Sequence, residues 1–316
     1  MLLYLARRIV AVLPVLFGVS VAVFLMIRLV PGDVVTVVLG TEGTATPERT
    51  AELRRLFGLD RPLYVQYADW AGRLVVGDFG KSLRTSRPIL PDVLARLPVT
   101  IHLMATSMAI SLLIAVPLGI ISAVRQYTVL DTAVRLTGLI GLSVPNFWLA
   151  TMLVLFISLY WRALPTSGYV PLDRDVVGSF RSILLPAFSL GAANTAILMR
   201  MTRSSVLEVL RQEYVTTARA KGLRERWVIV RHVLPNALIP IVTVAGIQVG
   251  YLLSGAIIVE QIFALPGVGT LILNAITQRD YPLLQAGTLF IAFAFPLVNL
   301  VVDVLYTYLD PKLRHG

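Results

Sequence analysis

Six stretches of this chain carry no Asp, Glu, Lys or Arg for at least eighteen residues: 9–27, 99–124, 136–161, 182–199, 233–259 and 281–302. At about 1.5 Å of rise per residue, each is long enough to cross roughly 30 Å of hydrocarbon as a helix. Hydrocarbon offers no water to backbone N–H and C=O groups, so each stretch must satisfy them internally, which excludes isolated strands. The expected fold class is an all-α polytopic membrane protein, six transmembrane helices in one membrane domain over 1–316. Composition agrees: 56% of the 316 residues are hydrophobic and 15% charged.

A net charge of +10 would suggest nucleic acid in a soluble protein, but these cations do not form a patch interleaved with aromatics. Residues 200–231 hold eight Lys or Arg against three acids, and the chain ends add Arg7, Arg8, Lys312 and Arg314. All three regions fall on one side of a six-span topology. The positive-inside rule then predicts both termini and the 200–235 region in the cytoplasm, and no nucleic-acid partner. Residues 31–98 carry nine basic and eight acidic residues. A segment that long translocates largely regardless of charge, so it is expected outside.

Arg7 and Arg8 ahead of an apolar run resemble a signal peptide, yet no small-x-small cleavage site closes the run, and a retained first span is expected. Residues 29–33 then read as a turn, 47–57 as a short helix, and Tyr64, Tyr67, Trp70 and Leu74 as an amphipathic piece at a membrane interface. The whole outer segment is expected to form a small cap. Gly80-Lys81-Ser82 imitates the end of a phosphate-binding loop, but the first glycine such a loop needs is replaced by Val75. No HExxH, cysteine pair or nucleophile elbow is present, and His102, His232 and His315 lack metal-ligand spacing. The chain is expected to bind no cofactor or metal and to catalyse no chemistry of its own. Absent cysteine excludes disulfides.

Pro117, Gly119, Gly138, Gly141 and Pro145-Asn146 permit bends and close approach within spans. Ser107, Ser111, Asn146, Asn194, Thr195, Gln248 and Asn299 can line a solute path, although hydrogen bonding between helices is their commoner use. Glu260 and Asp303, near span ends, are expected in structural ion pairs. Residues 164–169 and 263–269 mark outer turns, and no inverted repeat is evident.

Residues 211–236 form a polar, basic island within this apolar chain. Leu207, Leu210, Tyr214 and Ala218 recur at helical spacing and predict one apolar face. Gly222 stands where a helix end wants positive φ. Trp227, Val230 and Leu234 predict a second stripe, stopped at Pro235. Two short helices meeting at a glycine would lie along the surface and offer a knob to a soluble partner.

Glu213-Tyr214-Val215, Ala218-Arg219-Ala220-Lys221-Gly222-Leu223 and then His232-x-Leu234-Pro235-Asn236 resemble the EAA signature of permease subunits of ABC importers, in the oligopeptide, dipeptide, nickel and glutathione group. Leu29 to Asp33, Gly58 to Leu63, Gly77 to Ser82, Pro145 to Trp148, Phe263 to Gly269 and Val302-Asp303 to Asp310-Pro311 resemble the same group, so the likeness covers nearly the whole chain. Tyr214 and Val215 depart from the two alanines of the common pattern. The resemblance implies a type I ABC importer permease-like fold with a cytoplasmic coupling helix. Glu213, Tyr214, Ala218, Ala220 and Gly222 would be the ATPase-coupling residues. It also implies a bacterial inner membrane location, a second homologous permease subunit, two ATP-binding subunits that hold ATP and Mg, and an extracytoplasmic substrate-binding protein. That protein would deliver di- or oligopeptides or related small solutes. A gradient-driven secondary transporter is the alternative, and it would want ionisable groups near mid-membrane, which the spans scarcely offer.

Overall fold

A computed structural model describes residues 2–29 and 59–309, with positions 51 and 55 as isolated additions. Its regular elements are helices: α1 (Leu2–Leu29), α2 (Leu63–Val75), α3 (Ile89–Val124), α4 (Val129–Ser143), α5 (Asn146–Tyr160), α6 (Val176–Leu210), α7 (Glu213–Ala220), α8 (Glu225–Ile262), α9 (Val268–Thr277) and α10 (Tyr281–Leu309). The expected turn at 29–33, most of the expected helix at 47–57, Lys312, Arg314 and the side chains of Arg7, Arg8, Asn299 and Asp303 lie outside the described residues.

Among the described residues, α3, α6, α8 and the stretch Tyr281–Val298 of α10 are each long and apolar enough to cross a membrane. Stretch 136–161, read as one span, is instead α4 and α5 meeting at 99°. Pro145 lacks an N–H and crowds the residue before it, and Val144 accordingly leaves the helical region at φ −86°, ψ 121°. α1 adds the apolar stretch Val10–Met26.

Helices α3 and α6 run parallel, and small residues let them touch. A Cβ on Gly119 would lie 2.6 Å from the Thr202 Cβ and 2.8 Å from the Met199 carbonyl oxygen, and one on Gly191 would lie 2.8 Å from the Ser107 carbonyl oxygen. Ser111 Oγ donates to the Gly191 carbonyl at 2.9 Å, and Gln248 Nε2 on α8 donates to Asn194 Oδ1 at 2.6 Å. Ser107, Ser111, Asn194 and Gln248 are therefore buried between helices. Ser111, Asn194 and Gln248 thus make interhelical hydrogen bonds, while Ser107 donates to the Leu103 carbonyl of its own helix.

At the end of the bundle carrying α7, here called the basic end, Asp131 is fully buried. Arg203 Nε and Nη2 reach its two oxygens at 2.9 and 3.0 Å, and Ser122 Oγ and the Tyr127 amide also donate to it. Thr128 caps α4 by accepting from the Asp131 amide. At the opposite end, Ser82 Oγ and the Leu83 amide donate to Asp280, which joins the Gly80-Lys81-Ser82 loop to the start of α10. That loop is a structural tie.

Glu260 corrects an expectation. It is fully buried and has no ion-pair partner among the described residues. It accepts instead from Thr100 Oγ1 at 2.6 Å and from the Thr270 amide at 2.9 Å. The first turn of α9 leaves backbone N–H groups unpaired, and the carboxylate satisfies them where a cation was expected. α2 presents Tyr67 and Trp70 to Phe24 of α1, with Tyr67 OH 2.7 Å from Ser20 Oγ and Arg28 held on Gln66.

Gly119→Leu should drive α3 off α6 and cost about 1–3 kcal/mol by overpacking. Gly18→Leu, where nothing lies within 4 Å of the added Cβ, should leave stability unchanged. Thermal unfolding in detergent compares the two.

Candidate functional site

The basic end is built on α7. Helix α6 stops at Leu210, Arg211 and Gln212 break it, and α7 restarts at Glu213, whose carboxylate sits in the first turn near the positive end of the helix dipole. The helix restart breaks the stripe expected from continuous periodicity at one place: Leu207, Leu210 and Ala218 still face one apolar cluster, but Tyr214 leaves it. Val215 and Ala218, three apart, are the buried pair, and Tyr214 is 43% exposed. They pack with Ala123, Val206, Val228, Val233 and Ala237, the ends of α3, α6 and α8. Burying a valine there contributes about 1.5–3 kcal/mol.

The far end of α7 closes as a Schellman motif. The Gly222 amide donates to the Arg219 carbonyl at 2.9 Å and the Leu223 amide to the Ala218 carbonyl at 3.4 Å, with Gly222 at φ +80°. Glycine takes that conformation without a Cβ penalty. The chain then turns into α8, and Arg219 grips Glu225 through two bonds of 2.6 and 3.1 Å. That carboxylate holds the Arg219 guanidinium yet more firmly protonated.

The second expected stripe is also rephased. Trp227 and Val230 are half-exposed, while Val228, Val233 and Ala237 are buried. Pro235 does not stop the helix. α8 widens to a π-helical turn over Ile229–Val233 just ahead of the proline, where a regular i−4 carbonyl would clash with its ring. Asn236 Nδ2 donates to the Tyr214 hydroxyl at 2.9 Å and to the His232 carbonyl at 3.2 Å. The two halves of the motif, 22 residues apart, thus meet in space.

Residues 115–315 match the model of the binding-protein-dependent transport system inner membrane component, and 1–104 match the N-terminal model of the same membrane components. The chain belongs to this family. The Di/tripeptide transport system permease protein DppB of Pseudomonas aeruginosa is 41% identical over 335 residues, covering 100% of this chain and 99% of that protein. The Dipeptide transport system permease protein DppB of Escherichia coli K12 is 38% identical, with 100% and 99% covered. The Oligopeptide transport system permease protein AppB of Bacillus subtilis is 38% identical, with 99% of each covered. Two inward-facing structures of the MetNI methionine ABC transporter superpose with TM-scores of 0.59 and 0.55 at 16% and 18% identity, each covering 72% of this chain and 100% of theirs. At that identity the likeness is one of fold.

Within this family member, α7 and its closing turn carry all five residues singled out above. Glu213, Ala220 and Gly222 are exposed, Tyr214 is half-exposed and tied to Asn236, and Ala218 faces inward. Ala218 therefore helps seat α7 on the bundle. Val215, Leu223 and Trp227 were not singled out as coupling residues: the first is buried beneath α7, and the other two extend the outward surface. The three-residue spacing of Val215 and Ala218 is a signal for the first, readable once the helix start is placed at Glu213.

Tyr214→Phe and Asn236→Ala should each weaken the link between α7 and α8. A double-mutant cycle on thermal stability should give a coupling of about 0.5–1.5 kcal/mol, and additive losses would mean that the hydrogen bond contributes nothing.

Proposed function

We propose that this chain is one of two permease subunits of an ATP-driven importer for di- or oligopeptides, and that α7 is the helix gripped by an ATPase subunit. The observation that carries this reading is the construction of the basic end. α7 is anchored through Val215 and Ala218, closed by Gly222, and leaves Glu213, Ala220, Leu223 and Trp227 outward. The cargo class follows the peptide-transport names of relatives that match over their full length. A gradient-driven mechanism finds no support among them.

In this reading the basic end lies in the cytoplasm, in accord with its excess of arginine and lysine. α1, α3, the α4–α5 pair, α6, α8 and α10 make six spans and bring both termini to the cytoplasmic side. ATP and Mg are held by two partner ATPases, and no cofactor by this chain. A binding protein delivers solute to the outer face, which includes α2 and the Ser82–Asp280 tie. The permease does no chemistry: it converts the closing of the ATPases into a rearrangement of spans. α6 leads directly into α7, so displacement of α7 is passed to α6 and, through its close contact, to α3.

Gly222→Val forces a β-branched residue into the left-handed region, where a non-glycine residue costs of order 1–2 kcal/mol. In vesicles containing the complete importer, this variant should cut ATP-driven peptide uptake at least about tenfold while ATP hydrolysis continues. Unchanged coupled uptake would count against the assignment of α7. The chain has no cysteine, so Arg224→Cys and Ser86→Cys introduce unique thiols. An impermeant reagent should label them from opposite sides, Arg224→Cys from the cytoplasm. Labelling from one side overturns the topology.

A further inference from the structure

The break between α4 and α5 is unsuited to lipid. Ser143 and Pro145 are exposed, and the carbonyls of Leu142, Ser143 and Val144 and the amides of Asn146, Phe147 and Trp148 make no hydrogen bond to any described residue. At about 1.5 Å per residue, the break lies roughly 13 Å along the helix from Arg135, inside the roughly 30 Å of hydrocarbon. Irregular backbone at that depth persists only against protein or water.

A groove leads from the break toward the basic end. Arg135, Leu139 and Leu142 line it from α4, and Ala196, Arg200 and Arg203 from α6, around a cavity of about 370 Å³. Leu139 is 62% exposed, so the α4 wall is open in the isolated chain. At the mouth, Arg203 is engaged by Asp131, and Arg135 approaches the same carboxylate at 3.7 Å. Arg200 is exposed and has no hydrogen bond or ion pair with any described residue. Arg203 and Arg135 therefore share one carboxylate, and Arg200 beside them has none.

A lipid headgroup would suit these charges but would leave the bare backbone above them in acyl chains. A protein partner packed over the whole groove would bury guanidiniums without enough counter-charge, at several kcal/mol per ion. Water, with an anion passing through it, satisfies both ends of the groove. We propose that the groove between α4 and α6 is the inner half of the solute path, and that Arg135 and Arg200 at its mouth receive the carboxylate of the passing peptide. The identity of the solute rests on the importer reading above; the groove's access to water does not.

The test uses the complete importer in vesicles. Leu139→Cys should react with small charged thiol reagents supplied in water from the cytoplasmic side, and an anionic reagent should react about tenfold faster than a cationic one of equal size. Adding Arg135→Gln and Arg200→Gln should remove that preference and lower peptide uptake about tenfold, while Lys at both positions should restore most of both. Reaction only with reagents dissolved in the bilayer would assign the groove to lipid and overturn the proposal. A thiol that stays shielded from water and cross-links to the second permease would also overturn it. An unaltered anion preference or unaltered uptake in the double Gln variant would remove the carboxylate role. If the unmodified importer takes up no peptide at all, the peptide reading fails, and the thiol rates still decide whether the groove is a water-filled anion path.

Discussion

Helices α3 and α6 approach so closely that Gly119 and Gly191 admit no side chain, and the rest of the bundle is arranged around that contact. Close backbone approach matters here because hydrocarbon gives helices no hydrophobic reason to associate with one another rather than with lipid tails. What remains is dispersion and a few interhelical hydrogen bonds, Ser111 to Gly191 and Gln248 to Asn194 among them. α6 is the common member, packed against α3, α4, α5 and α8. It is also the helix that leads into α7.

Stronger polar ties are kept to the two ends of the bundle. Asp131 and Arg203 join α4 to α6 at the basic end, and Ser82 with Asp280 and Thr100 with Glu260 secure the opposite end. Each carboxylate is buried, and each has several donors, which offsets the cost of taking its charge out of water. Placing these ties at the ends leaves the middle of the bundle with neutral polar groups.

The broken span is the exception within this scheme. Pro145 removes one backbone donor and extends Val144, so α4 and α5 meet at a sharp angle with unpaired peptide groups exposed to one side. A single copy of the chain does not cover that side. Below the break, Arg200 stands without a counter-charge, which favours water over the groove itself.

Much of this was legible in the residues. Charge-free stretches located α3, α6, α8 and α10 because a backbone in hydrocarbon has few alternatives to the helix, and the glycine at 222 located the end of α7 because few other residues tolerate its φ of +80°. Periodicity was less reliable across residues 207–234: a helix that stops at Leu210 and restarts at Glu213 loses its phase, so Val215 takes the buried place expected of Tyr214, while Leu207, Leu210 and Ala218 keep theirs. The partners of Glu260, the meeting of Tyr214 with Asn236 and the lining of one cavity by Arg135 and Arg200 depended on the packed structure alone. Each joins positions far apart in the chain, and which distant side chains come together is decided by how the helices pack, a property that no local pattern of residues encodes.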